Sequence, residues 1–173
     1  MTEITKMWIA DKMREIMKHK PIDKIRVSEI CKAAGTTRPT FYYHFKDKYD
    51  LVAWMFCMDA YGTDITSVTS AAAGMNRMKQ EILFYKRAYE DSSQNALWRY
   101  MLEYFVSRYT ALAKEKLGTD ILDTQLTYSI RFYCMGSVGM TQEWVLNDNI
   151  TSAETVVQMM FHSMPENLRK IFF

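Results

Sequence analysis

The chain has 173 residues, 49% hydrophobic and 24% charged, the proportions of an ordinary globular protein, which exclude a mostly disordered one. Six glycines and three prolines set against abundant Met, Leu, Ala, Lys and Glu favour long helices over sheet, so the expected fold class is all-α. No apolar run reaches the roughly 20 residues that span a bilayer, and charges stand where a signal peptide has its apolar core, so no membrane partner and a cytoplasmic location are expected.

The net charge of +2 is unevenly spread. Residues 1–52 hold eleven Lys and Arg against seven Asp and Glu, a balance of +4, and the remainder is at −2. Positive charge collected at one end is a modest electrostatic footprint for a polyanion. Cys31, Cys57 and Cys134 are too widely spaced for a disulfide framework or a metal knuckle, and His19, His44 and His162 lack ligand spacing. No nucleophile and base pair, phosphate loop or metal set stands out, so no catalytic residue, metal or cofactor is expected and an enzyme is the least supported class.

In chain order, the first element is an amphipathic helix from Thr5 to about Lys18, with Ile9, Met13, Ile16 and Met17 on one stripe. Lys20-Pro21 ends it, and Ile22 and Ile25 add apolar contacts. A short helix from Val27 to Ala34 presents Val27, Ile30, Cys31 and Ala34 at i, i+3, i+4 and i+7, and Gly35 stops it. Pro39 suits a first helical position, so a third helix should open there. With three residues between Gly35 and Pro39, the two helices meet steeply, which is helix-turn-helix geometry. Phe41 and Phe45 turn inward, leaving a polar and aromatic edge.

After Lys46-Asp47-Lys48 a linking helix runs over residues 48–61. Residues 62–74, rich in Thr, Ser, Ala and Gly, predict an irregular connection. Further helices are expected over about 75–90, 96–116, 120–146 and 152–163, with a short tail helix opening at Pro165. The expected organisation is a helix-turn-helix domain over residues 1–50 and a second helical domain over residues 62–173.

The run Val27-Ser28-Glu29-Ile30-Cys31-Lys32-Ala33-Ala34-Gly35-Thr36-Thr37-Arg38-Pro39-Thr40-Phe41-Tyr42-Tyr43-His44-Phe45-Lys46-Asp47-Lys48-Tyr49-Asp50-Leu51 resembles the signature of the tetracycline-repressor family. The resemblance implies a homodimeric transcription regulator, in the repressor mode, that binds palindromic double-stranded operator DNA. The positions matching the family's DNA contacts are Ser28, Thr37, Arg38, Pro39, Thr40, Tyr42, Tyr43, His44 and Lys48. Ser28 departs from the pattern, standing where many relatives carry a longer polar or charged side chain, which weakens base readout from the second helix.

The chemistry agrees with that assignment. A recognition helix meets base edges with its N-terminal residues while flanking groups hold phosphates. Arg38 can present its planar fork to guanine, Pro39 and Thr40 can touch thymine methyls, and Tyr42, Tyr43, His44 and Lys48 can reach phosphate oxygens. One short helix reads too few bases to select a genomic site, so a two-fold dimer is expected.

The second half resembles the same family's effector and dimerisation domain in outline, where the last two long helices pair with their symmetry mates. The resemblance implies an interface on these two helices, expected to comprise Gly136, Gly139, Met140, Trp144, Val156 and Met160, with the glycines letting backbones approach closely. Met and aromatic side chains can line an adaptable apolar pocket, and the candidates are Trp54, Met58, Tyr61, Met78, Tyr85, Trp98, Met101, Tyr104, Phe105, Phe132 and Met135. The Gly136 to Gly139 spacing ahead of Gln142-Glu143-Trp144 also resembles the branch containing the dihydroxyacetone-kinase operon activator, which works with a protein coactivator. The input is therefore either a small molecule or a protein. A helical interaction module with a vestigial helix-turn-helix is the competing reading.

Overall fold

The computed structural model describes residues 2–91, 96–147 and 150–173. Among them are ten α-helices and no strand, so the fold is all-α. They form two compact units, one of Met1–Asp59 with Glu81–Leu97, the other of Ala60–Gln80 with Trp98–Phe173.

In the first unit, α1 (Thr2–Met17) buries Ile9, Met13 and Met17, the stripe its spacing predicts. It starts three residues earlier than Thr5, with Glu3 in the first turn where a negative charge complements the helix dipole. Pro21 is extended and precedes a single 3-10 turn, Ile22–Lys24, whose Ile22 is buried together with Ile25. Helix α2 (Val27–Ala33) opens where Glu29 reaches back to accept from the Arg26 N–H at 3.2 Å. It closes on Gly35 at φ +59°, while the N–H groups of Thr36 and Gly35 bond back to the carbonyls of Cys31 and Lys32. That double closure needs a left-handed residue, which glycine supplies without a Cβ penalty.

Helix α3 (Arg38–His44) starts one residue before Pro39. The reason is Thr37, whose hydroxyl oxygen accepts from the Thr40 N–H at 3.3 Å, so Thr37 is the cap and the proline falls at the second helical position. Helix α4 (Lys48–Ala60) is capped by Asp47, which accepts from the N–H groups of Tyr49 and Asp50, both at 2.8 Å. Leu51, Val52, Ala53, Met55 and Phe56 are all buried, a little over half of its circumference, while α1 is the helix that packs on α2, α3 and α6.

The expected helix over 75–90 is two helices. Glu81, at φ −108° and ψ 34°, separates α5 (Val68–Gln80) from α6 (Ile82–Tyr89). No glycine or proline marks this break. It lies where the chain passes from one unit to the other, with α6 packed on α1 and α5 on the last long helices. The expected irregular connection over 62–74 is correspondingly shorter, because α5 begins at Val68 behind Ser67, whose hydroxyl oxygen accepts from the Ser70 N–H.

The second unit adds α7 (Leu97–Leu117), α8 (Thr124–Asn147), α9 (Ala153–His162) and α10 (Glu166–Phe172). Helix α8 begins at Thr124, four residues after the predicted Asp120, because the cap is Asp123, accepting from the Leu126 N–H at 2.7 Å. The core joins Leu102, Tyr109 and Ala113 of α7, Ile130, Tyr133 and Cys134 of α8, and Leu168 and Phe172 of α10. Tyr109 stands edge-on to Tyr133 and Phe172, and its hydroxyl donates to the Ile65 carbonyl at 2.7 Å, so this buried phenol leaves no orphan donor.

Candidate nucleic-acid interface

Helices α2 and α3 hold their angle through the first unit's core. Phe41 and Phe45 are buried, their rings 5.7 Å apart, and Phe45 stands edge-on to Trp54 of α4. At the other end the Trp8 indole N–H donates to the Ala34 carbonyl at 2.9 Å, which ties α1 to the close of α2. Both ends of the helix pair are therefore fixed by side chains outside it.

That anchoring turns the opposite edge of α3 to solvent. Thr37, Arg38 and Pro39 are exposed, Thr40 and His44 are half-buried, and Tyr42 and Tyr43 are 48% and 76% exposed. Ser28 is exposed on α2. Two phenols so open to solvent have no packing reason to be there. The Arg38 guanidinium lies 5.9 Å from the Tyr42 ring centre, the Tyr43 and His44 rings touch at 5.0 Å, and the Thr37 and Thr40 hydroxyls are hydrogen-bonded at 2.9 Å. Among the described residues Arg38 makes no ion pair, so its five donors remain available to an outside acceptor.

Lys48 is held differently. Its ammonium donates to the backbone carbonyls of Asp23 and Ile25 at 3.0 and 2.9 Å, and burial pushes its pKa below the ordinary lysine value. This side chain ties the start of α4 to the turn ahead of α2, and two of its three N–H groups are used in doing so. Sequence spacing gave no sign of that brace, nor of the Trp8 tie. It also did not single out as DNA contacts the exposed Lys24, Arg26, Lys32 and Lys46 of the same unit, whose signal was the excess of positive charge.

A second set of contacts fixes α6 onto this unit. Arg14 of α1 donates to both carboxylate oxygens of Asp59 at 2.7 and 2.8 Å, and its guanidinium lies over Phe84 at 4.8 Å. The Tyr85 hydroxyl donates to the same carboxylate at 2.6 Å, and burial, then the neighbouring Asp59, push that phenol well above its ordinary pKa. Both Arg14 bonds to Asp59 come from Nη2, and Nη1 is buried without a partner.

The expected pocket residues divide between the units. Trp54, Met58 and Tyr85 belong to the first, with Tyr85 buried and Met58 exposed. In the second, Met78 and Met101 are buried, Trp98, Tyr104 and Phe105 are half-buried, and Tyr61, Phe132 and Met135 are exposed. Of the expected interface residues, Gly136, Gly139 and Met140 are exposed on α8 and Met160 of α9 is half-buried. Trp144 and Val156 are buried inside the unit, and the Trp144 indole N–H donates to the Thr151 carbonyl at 2.9 Å. Phe132 and Met135 fall on the same face as the two glycines, so Tyr128, Phe132, Met135, Gly136, Gly139 and Met140 form one exposed stripe at helical spacing. A Cβ added at either glycine would meet nothing within 4 Å.

Among the described residues no helix is long and apolar enough to cross a membrane. Two family models match the chain: "Bacterial regulatory proteins, tetR family" over residues 9–55, and "Transcriptional regulator C-terminal region" over residues 73–166. No curated protein sequence matches it. Among solved structures it is similar to the dihydroxyacetone kinase operon activator DhaS, at 16% identity and a TM-score of 0.61, with 97% of this chain and 98% of that one covered. At that identity the likeness speaks for the fold alone. The matched signature and the exposed edge of α3 coincide, and the chain belongs to the tetR family of bacterial regulatory proteins, DNA-binding transcription regulators rather than enzymes.

Proposed function

We propose that the protein is a cytoplasmic homodimer that recognises a palindromic operator through α3 and regulates transcription in the repressor mode under the control of an effector. The observation that carries the DNA-reading part is the exposed edge of α3, where Arg38, Tyr42 and Tyr43 face solvent while Phe41 and Phe45 anchor the opposite side. Arg38, Pro39 and Thr40 are the base-reading residues, and Thr37, Tyr42, Tyr43, His44, Ser28 and the third N–H of Lys48 hold phosphates. Repression is the simplest mode, since a dimer seated on promoter DNA excludes polymerase with no further contact.

Dimerisation is supported by the α8 stripe. Exposed Phe132, Met135 and Met140 flank two glycines with open space above them, the pattern that lets a second helix come close. The same surface in a lone subunit would be a contiguous apolar patch in water.

Selection of bound sequences from random DNA by the purified protein tests this reading. It predicts an enriched inverted repeat whose half-sites are spaced about one helical turn or a multiple apart, with affinity falling steeply as salt rises. Enrichment of a single unrepeated half-site, or of no sequence, would refute it.

A further inference from the structure

Within the second unit, the loop joining α4 to α5 and one face of α7 enclose an open cleft of about 470 Å³. On the α7 side its wall is Arg108, Leu112 and Lys116, spaced i, i+4 and i+8 so that the three stack along one face. On the loop side it is lined by residues 62–66.

That loop is fixed from behind. The Tyr109 hydroxyl holds the Ile65 carbonyl at 2.7 Å, and the Ser70 hydroxyl oxygen accepts from the Asp64 N–H at 2.9 Å. Asp64 Oδ1 accepts from the Thr66 N–H at 2.9 Å and the Thr66 hydroxyl at 2.8 Å, and these bonds, followed by the charges of Arg108 and Lys116, hold its carboxyl below the ordinary value. Neither Arg108 nor Lys116 makes an ion pair with it among the described residues. Both cations still act on Asp64 at longer range, but two positive groups set against one carboxylate leave the cleft with an excess positive charge.

Hydrogen-bond polarity points the same way. The Thr63 Oγ1 accepts from the Arg77 guanidinium at 3.0 Å, so the hydroxyl hydrogen of Thr63 is free to donate elsewhere. Arg108 is braced by donating to the Tyr104 hydroxyl at 3.1 Å, with its guanidinium 5.8 Å from that ring. A braced guanidinium gives a planar fork to oxygen anions at little entropic cost, and an ammonium two turns along adds a second charge.

We propose that this cleft is a binding site for a small organic anion, its phosphate or carboxylate oxygens held between Arg108 and Lys116 and accepting from the Thr63 hydroxyl, its carbon skeleton against Leu112. The inference does not rest on the DNA-binding reading, and none of these residues has a part in it.

The test is thermal unfolding of the full chain titrated with sodium phosphate and, in parallel, with sodium succinate, ionic strength being matched with sodium chloride. At least one of the two anions raises the unfolding temperature saturably above the chloride control. Phosphate alone or succinate alone narrows the class to that headgroup. The Arg108→Gln/Lys116→Gln double variant keeps its unliganded unfolding temperature and weakens anion binding at least tenfold, whereas Arg38→Gln leaves it unchanged. No shift beyond chloride, a shift undiminished in the double variant, or one lost in Arg38→Gln overturns the proposal. Should the double variant fail to fold, backbone amide shifts in the unaltered protein decide. Movement at Thr63 to Thr66 during the titration supports the site, and movement confined to other residues overturns it.

Discussion

The ammonium of Lys48 donates to the carbonyl of Ile25 at 2.9 Å, so the first residue of α4 supports the turn that precedes α2. Together with the bond to Asp23, this makes Lys48 part of the frame that presents the DNA-reading helix. Lys48→Ala leaves those two carbonyls without their donor, at a cost of about 1–3 kcal/mol. The expected outcome is a lower unfolding midpoint without DNA and a loss of affinity spread evenly over all sequences. Unchanged stability with the same affinity loss would reduce Lys48 to a phosphate contact.

Arg38 has no such second duty. Arg38→Ala is expected to leave the unfolding midpoint within about 0.5 kcal/mol of the unaltered protein, as for most exposed substitutions. It should relax selectivity at one base pair per half-site by about 1–3 kcal/mol. Competition binding against operators altered one pair at a time reads the effect, and a uniform loss over all positions would place Arg38 on the phosphates.

The Arg14 and Asp59 pair closes the first unit, and its two side chains retain 19% and 29% of their surface. Asp59→Ala strands a guanidinium that already has one unpartnered nitrogen, so a loss of about 2 kcal/mol is expected, discounted from a fully buried pair for residual solvent. Tyr85→Phe should cost less, since only one hydrogen bond goes. Equal midpoints in denaturant for Asp59→Ala and the unaltered chain would show that the pair contributes nothing.

Acid sensitivity has an identifiable source at the start of α2. The Lys20 ammonium, then the Arg26 N–H, hold the Glu29 carboxyl below its ordinary 4.5. A carboxyl depressed in the folded state contributes stability above its unfolded value and loses it as pH falls through the folded one. Stability should therefore decline from about pH 4.5 downward, less steeply in Glu29→Gln, and parallel curves for the two proteins would rule Glu29 out.

Phe132 is 75% exposed on the α8 stripe, so Phe132→Glu should leave the helical content of the subunit unchanged. Sedimentation is then expected to show a dimer for the unaltered chain and a monomer for the variant. A dimer persisting in Phe132→Glu would place the two-fold contact on another face.

The helix-turn-helix was readable because its signals are local. Gly35 and Pro39 punctuate it, and Phe41 and Phe45 state which side turns inward. The one-residue shift at α3 came from Thr37, where a hydroxyl cap outweighed the proline as the boundary marker. The break at Glu81 carried no local signal, since Lys79, Gln80 and Glu81 all suit a helix, and packing alone divides α5 from α6. The bonds of Lys48 and Arg14 were equally hidden, because carbonyls and carboxylates 23 and 45 residues away leave no trace in spacing. Arg108 and Lys116 carry no motif in the sequence, and only the loop folded opposite them makes a cleft.

The passage of the chain through Glu81 also bears on how the protein comes off the ribosome. Helix α6 packs on α1 and supplies Phe84, Tyr85, Ala88 and Tyr89 to the interior of the first unit. Synthesis runs from the N-terminus, so the helix-turn-helix unit must wait, with α1 incompletely covered, until about thirty further residues, through Tyr89, have emerged. An excised fragment stopping at residue 60 would keep the whole recognition signature and still lack the helix that seals its interior.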